Sequence, residues 1–312
     1  MKSIRIRHII STKQFLDRGL VEEVFRMAER MERGMRVGTI RPTLRGKILA
    51  CVFYEPSTRT RFSFESAMLR LGGSVIATEN AGQFSSVTKG ETLEDTIRII
   101  GGYCDGIVLR HSEEGAADRA ARVSPVPLIN AGDGTGEHPT QALLDLYTIK
   151  KEIGRMDDFT IACAGDLRYG RTIHSLIHLL SLGRRIKVLL VSPKELAIPG
   201  IYRAFMDEQG IAYSETDDLD AVVPEIDVLY MTRIQKERFR SQRMYERVKD
   251  FFSVDARILN ELPRHAVIMH PLPRVQEIAS AVDADPRAAY FRQAKNGLYI
   301  RMALLHILVG RR

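Results

Sequence analysis

The stretch Ile48-Leu49-Ala50-Cys51-Val52-Phe53-Tyr54-Glu55-Pro56-Ser57-Thr58-Arg59-Thr60-Arg61-Phe62-Ser63-Phe64 decides the fold. Residues 48–54 form an apolar run with the length and the β-branched or aromatic character of a buried strand. Beyond it, Phe64, Ala67, Met68 and Leu71 fall at i, i+3, i+4 and i+7, so the chain turns directly into a helix. The turn delivers hydroxyls and guanidiniums to a helix N-terminus at the carboxyl end of a strand. Backbone N–H groups and the positive end of the helix dipole point there, an arrangement that binds anions and above all phosphate. A helix start favours acids, so Arg59 and Arg61 work against the dipole unless an anion joins them.

The same alternation runs outward from this unit to both ends of the chain. Strand-like runs occupy 47–54, 74–78, 106–110 and 126–130, then 160–165, 186–192, 227–232 and 266–270. Amphipathic helices lie between them, for example Val21/Val24/Phe25/Ala28, Ile173/Leu176/Ile177/Leu180 and Ile300/Ala303/Leu304/Ile307/Leu308. Ser192-Pro193-Lys194-Glu195 has the form of a capping box with Pro at the first helical position, which predicts a helix start. Residues 130–137 read as a flexible stretch before a long helix over 138–153. Apolar strands alternating with helices predict an α/β fold of two doubly wound domains. Each would have a central, mostly parallel sheet of four to five strands flanked by helices. Ligands of such sheets bind beyond the carboxyl ends of the strands. The arginine-rich turn and the strand ends near Arg110, Asn130, Asp166, Thr232 and His270 are therefore expected to converge on one cleft.

Composition limits the function classes. A length of 312 residues suits two domains, and 45% hydrophobic with 27% charged residues describes a soluble globular chain. No run of 18 apolar residues could span a membrane, and Met1-Lys2-Ser3-Ile4-Arg5 leads into no apolar segment of the secretory kind. Cys51, Cys104 and Cys163 are odd in number, far apart and set in apolar surroundings, so they predict small buried residues in a reducing cytoplasm. The net charge of +7 invites a nucleic-acid reading. Against it, the basic residues are spread along the chain among 39 acids, with no Trp and no aromatic-basic interleaving. An excess of positive charge serves small anionic substrates equally well.

Other motifs carry further chemistry. Gly132-Asp133-Gly134-Thr135-Gly136 matches a dinucleotide fingerprint only loosely and reads as a turn. Gly165-Asp166-Leu167-Arg168-Tyr169-Gly170-Arg171-Thr172 matches a P-loop, except that Arg171 stands where Lys belongs. The planar fork of Arg suits a carboxylate, although a nucleotide site stays open at this point. Lys89 lies in a polar connection, 79–90, of the length that often serves function. His138 starts the long helix with Pro139 next to it. The positive helix end there favours a neutral imidazole able to donate a hydrogen bond. In His270-Pro271-Leu272-Pro273 two prolines end a strand in a rigid turn whose carbonyls can accept.

Taken in order, these motifs resemble those of the transcarbamoylase family along essentially the whole chain. They are Ser57-Thr58-Arg59-Thr60-Arg61, Val108-Leu109-Arg110-His111, Gly132-Asp133-Gly134 with His138-Pro139-Thr140-Gln141, and 165–172. Met231-Thr232-Arg233-Ile234-Gln235-Lys236-Glu237-Arg238 and His270-Pro271-Leu272-Pro273-Arg274 complete the set. The resemblance implies that Ser57, Thr58, Arg59 and Thr60 hold the phosphate of carbamoyl phosphate. Arg59, Thr60, Arg110 and His138 would surround its carbonyl oxygen. Gln141 and the carbonyls of Pro271 and Leu272, with Pro273 fixing the turn, would hold its amide. Arg171, Arg233 and Gln235 would take the carboxylates of L-aspartate. Lys89 and Ser85 would arrive from the neighbouring subunit of a homotrimer with shared active sites. The ornithine branch has Cys after the His of the late motif and must accept a cation. Pro271 and the groups Arg171, Arg233 and Lys89 point instead to the aspartate branch.

The resemblance further implies a first domain over 1–135, with a C-terminal helix, 289–312, packing back on it, and a second domain over 136–288. No metal or other cofactor is expected, and no nucleic acid or membrane partner. A zinc-bearing regulatory chain is a possible partner. Ser112, where many family members have Pro, is a departure in the loop bordering the region where such chains dock.

Overall fold

A computed structural model describes residues 6–81, 90–134, 136–236, 239, 241–248 and 251–310. The chain divides into two compact units, Met1–Leu144 with Lys295–Arg312, and Asp145–Ala294. Both crossings fall inside helices, α5 (Pro139–Ile153) and α10 (Tyr290–Val309).

The first unit holds a parallel sheet of β1 (Ile48–Phe53), β2 (Ser74–Glu79), β3 (Gly106–His111) and β4 (Leu128–Asp133), in the order β2-β1-β3-β4. β1 and β3 are apolar runs and lie at its centre, where both faces must be covered. Helix α1 (Arg18–Arg36) begins at Asp17, whose carboxylate accepts from the N–H groups of Gly19 and Leu20, and it buries Val21, Val24, Phe25 and Ala28. Helix α2 (Thr58–Arg70) packs on β1 and β2 and buries Phe64, Ala67 and Met68. Full burial of a side chain such as Phe64 contributes about 1.5–3 kcal/mol. Helices α3 (Leu93–Gly101) and α4 (Ala116–Val123) pack together and build a second apolar layer with Ala50, Val52, Ile107 and Leu109.

The second unit is a five-stranded parallel sheet in the order β7-β6-β5-β8-β9. Its strands are β5 (Thr160–Ala164), β6 (Lys187–Val191), β7 (Ala212–Thr216), β8 (Val228–Met231) and β9 (Val267–Met269). Helices α6 (Arg171–Leu180), α7 (Gly200–Glu208), α8 (Gln242–Val248) and α9 (Ala256–Glu261) complete it. Two sequence expectations change here. β7 carries no apolar run because it is an edge strand whose residues stay largely exposed, so periodicity does not reveal it. Residues 192–195 do not start an α-helix: only a short 3-10 turn, Lys194–Leu196, follows, without a side-chain cap, and α7 opens after Pro199.

Both sheets reverse their winding, between β1 and β3 in one and between β5 and β8 in the other. A ligand site is expected beyond the carboxyl ends of those strand pairs.

Candidate active site

In the first unit, β1 ends at Phe53, which pairs with Arg110 on β3, and the Tyr54 N–H donates to the Arg110 carbonyl at 2.8 Å. The turn Glu55-Pro56-Ser57 then enters α2. Ser57 is the N-cap, yet its side chain makes no capping bond, and the first turn holds no acid. A helix end left in this state suits an anion. Thr58 and Arg59 lie exposed on the first turn while Thr60 is buried. Arg61 departs from the anion reading of both arginines, because Glu79 at 2.9 Å and Glu65 at 3.5 Å take it up. Sequence spacing alone cannot separate a ligand arginine from one that braces its own helix.

Arg110 stands beside this turn, 3.3 Å from Glu55, and donates to the Ala131 carbonyl at 3.0 Å. The register of β3 against β4 shifts here, so β4 carries an extra residue opposite Arg110. Such a bulge bends the strand and re-aims side chains. Residues 130–134 are thus not a flexible stretch but buried and tightly bonded. Asp133 accepts from Asn130 Nδ2 (3.0 Å), from the Gly115 N–H (3.0 Å) and from the Glu137 N–H (3.1 Å). Gly134, at φ +53°, leaves no room for a Cβ, which would lie 2.8 Å from Glu114 N and Ser112 O. This knot sets the residue before His138. Glu137 also accepts from Ser11 Oγ (2.6 Å) and from the Thr12 N–H and hydroxyl, which ties Ser11 and Thr12 to the start of α5. His138 is 4% exposed, lies 3.5 Å through Nδ1 from the Thr140 hydroxyl, and opens α5, with Gln141 one turn on.

In the second unit the turn after β5 is built around Asp166. Gly165 has φ +111°, and a Cβ there would lie 2.3 Å from the Thr232 carbonyl. β5 and β8 can approach this closely only with glycine. The Asp166 N–H donates to Thr232 Oγ1 at 3.1 Å, and its carboxylate accepts from Tyr169 N–H (2.9 Å) and Gln235 N–H (3.5 Å). Gln235 Nε2 donates back to the Tyr169 carbonyl at 3.2 Å. Burial pushes Asp166 up to about 6, against the N–H groups of Tyr169, Gln235 and Arg168 and the Arg233 charge, which lower it. Gly170 then caps α6 without a side-chain bond, and Arg171 is its first residue. Arg171, Arg233 and Gln235 thus follow the carboxyl ends of the adjacent strands β5 and β8, with Gln235 tied to the turn before Arg171. Two guanidiniums and an amide so grouped suit a dicarboxylate.

The third element of this unit follows β9. His270 is buried; its Nδ1 accepts from the Leu272 N–H at 2.8 Å, and Nε2–H donates to Glu277 at 2.8 Å. Glu277 also accepts from the Val275 and Gln276 N–H groups. Burial would raise Glu277, but the His270 bond and the N–H groups of Glu277 and Val275 outweigh it and hold the carboxyl below its usual range. Leu272 lies at φ +56° and its bond to Pro273 is cis. The turn of Pro271, Leu272 and Pro273 is thus held from both ends. Arg274 leaves it to pair with Asp283 at 2.6 Å and Tyr290 at 2.9 Å.

The sequence marks Asn130 and Asp166 only as strand ends and Asp133 only as part of a turn, and it does not mark Glu277; their carboxylates and amides face backbone N–H groups rather than solvent. The glycines beside Asp133 and Asp166 were the available signal. Ser85 and Lys89 lie outside the described residues.

Comparison with known proteins places the chain in a family. Residues 7–151 match the profile of the aspartate/ornithine carbamoyltransferase carbamoyl-P binding domain, and 157–308 that of the Asp/Orn binding domain. The chain belongs to the aspartate/ornithine carbamoyltransferase family. Several similar relatives are named aspartate carbamoyltransferases. A chloroplastic aspartate carbamoyltransferase of Oryza sativa subsp. japonica is 53% identical, over 99% of this chain and 87% of its own length. The catalytic subunit of Thermococcus gammatolerans aspartate carbamoyltransferase is 49% identical, over 97% and 98%. Among solved structures, the catalytic subunit of M. jannaschii aspartate transcarbamoylase superposes with a TM-score of 0.90 at 50% identity, covering 97% of this chain and 98% of that one. Aspartate transcarbamoylase from Trypanosoma cruzi, in complex with N-(phosphonacetyl)-L-aspartic acid, gives a TM-score of 0.92 at 42% identity, over 99% and 97%.

Proposed function

We propose that this chain is an aspartate carbamoyltransferase, moving the carbamoyl group of carbamoyl phosphate to the amine of L-aspartate. The products are N-carbamoyl-L-aspartate and phosphate, as a step of pyrimidine synthesis. The observation that carries the reading is the pairing of two chemistries at strand ends. One unit presents an uncapped, hydroxyl- and arginine-bearing helix start, and the other gathers Arg171, Arg233 and Gln235.

The residues take roles that fit their chemistry. Ser57, Thr58, Arg59 and Thr60 bind phosphate with backbone N–H groups of α2. Thr60, Arg59, Arg110 and His138 donate to the carbonyl oxygen. As the aspartate amine attacks the carbamoyl carbon, charge grows on that oxygen. Donors aimed at it stabilise the transition state more than the ground state. Gln141 and the carbonyls of Pro271 and Leu272 orient the carbamoyl NH₂. Arg171, Arg233 and Gln235 hold the two carboxylates. The departing phosphate can collect the proton of the amine. Residues 1–135 with 289–312 serve as the carbamoyl-phosphate domain and 136–288 as the aspartate domain.

A homotrimer, in which Ser85 and Lys89 enter the neighbour's site, is part of the proposal. It is supported by the polar, glycine-ended connection that carries them. A zinc-bearing regulatory chain remains a candidate partner at the loop following His111. A cytoplasmic setting is supported by three free cysteines, two of them buried; among the described residues no helix is long and apolar enough to cross a membrane.

A compound joining both substrates tests the reading. N-(phosphonacetyl)-L-aspartate should bind tightly. Arg59→Ala and Arg233→Ala should each weaken it by about 30-fold or more, since a desolvated arginine-anion bond lost from one side costs about 2–5 kcal/mol. Absence of binding to the unaltered protein would overturn the assignment.

A further inference from the structure

Linked to His270, the residue before Pro271, runs a buried polar chain. Asp145 on α5 is fully buried, and its two carboxylate oxygens take two donors. Tyr230 OH donates to one at 2.7 Å and Gln293 Nε2 to the other at 2.6 Å. Gln293, 1% exposed on α10, accepts the His270 N–H on its Oε1 at 2.9 Å. At its other end Tyr230 shares a side-chain hydrogen bond with Thr172, the residue after Arg171. Every member of this chain lies within the second unit.

The polarity of the link follows from what each group can do. A carboxylate only accepts, so Gln293 must turn its NH₂ towards Asp145, and its oxygen is left for the His270 N–H. Burial, and after it the Asp145 charge, push the Tyr230 phenol well above its usual value, so it keeps its proton and donates. A buried carboxylate is costly unless bonded in this way, so the arrangement resists rearrangement.

We infer that Asp145 and Gln293 are positioning residues, fixing the His270 backbone so that the Pro271 and Leu272 carbonyls stand ready for the carbamoyl NH₂. The inference rests on the assignment of those carbonyls given above. His270 is then held at three points. Its ring is gripped by Leu272 and Glu277, and its backbone N–H by Gln293. Releasing the backbone bond leaves the ring contacts in place and lets the turn shift.

The test compares carbamoyl phosphate with inorganic phosphate, which has no amide to place. Dissociation constants for both are measured by titration calorimetry on the intact protein without aspartate. Gln293→Met keeps the volume and removes both bonds. It should weaken carbamoyl phosphate about tenfold, the upper end for a lost hydrogen bond, and leave phosphate within about twofold. If Gln293→Met does not fold, Gln293→Asn, polar but too short to span both partners, carries the same expectation. Tyr230→Phe removes a bond from the same buried carboxylate but leaves the Gln293 link, so it should change neither constant by more than about twofold. Equal weakening of both ligands, or none, in the Gln293 variants would overturn the positioning role. An unaltered protein that fails to prefer carbamoyl phosphate over phosphate would instead overturn the assignment of the turn, and this inference with it.

Discussion

Asp166 organises the turn after β5, bonded to Thr232, Tyr169 and Gln235. Its value of about 6 lies above the 3.8 of an ordinary aspartate because burial outweighs three N–H groups and the Arg233 charge. The folded chain therefore holds this proton more tightly than the unfolded one. The associated stability is complete below about pH 4 and is lost as pH rises through about 6, a change of roughly 3 kcal/mol. Asp166→Asn should flatten that part of the profile when denaturant midpoints are followed against pH. An unchanged slope would mean that another group titrates there. In the proposed reaction His138 acts at the reacting atoms. His138→Ala should lower kcat by about 10²-fold, typical of one lost oxyanion donor, while carbamoyl phosphate still binds at Ser57, Thr58 and Thr60. Near-normal turnover at saturating substrates would remove His138 from the reaction.

The elements that hold these residues are strand-to-helix turns, and glycine decides how closely they pack. Gly165→Ala places a Cβ 2.3 Å from the Thr232 carbonyl at φ +111°. It should cost about 2 kcal/mol or more in chemical denaturation. Gly38→Ala, at φ +70° with nothing within 4 Å, should cost about 1 kcal/mol. Similar losses at both positions would mean that the β5–β8 approach is not what requires glycine. The same turns mark how far the sequence could be read. Central strands such as β1 and β5 stand out because burial on both faces makes them continuously apolar. β7, at the sheet edge, has no such run and was missed. The turn over 57–61 is legible because hydroxyls and arginines at a helix start are chemically unusual. Arg61 was not separable from Arg59, since its ties to Glu79 and Glu65 depend on tertiary approach. The Asp133 knot was hidden for the same reason, and a glycine-rich segment read as flexible proved buried.

At the scale of the whole molecule, the proposal makes each site a property of two chains. Arg59 would come from one subunit and Lys89 from its neighbour. Arg59→Ala and Lys89→Ala homotrimers should each be nearly inactive. Mixed equally and reassembled at random around a ring, they should recover about a quarter of normal activity, since one interface in four joins two intact groups. No recovery from trimers shown to have exchanged subunits would leave Lys89 acting within its own chain or not at all.

The central claim concerns the acceptor, and one assay addresses it. The purified protein is given carbamoyl phosphate labelled in its carbamoyl carbon, with L-aspartate and L-ornithine at equal concentration, and the labelled products are separated. In the proposed site, the Arg171 and Arg233 charges after β5 and β8, with the Gln235 amide, favour a dicarboxylate, and the two charges repel a cationic side chain. The account predicts that the label appears in N-carbamoyl-L-aspartate, with phosphate released in equal amount. Label in carbamoylated ornithine, or in neither product, would contradict it.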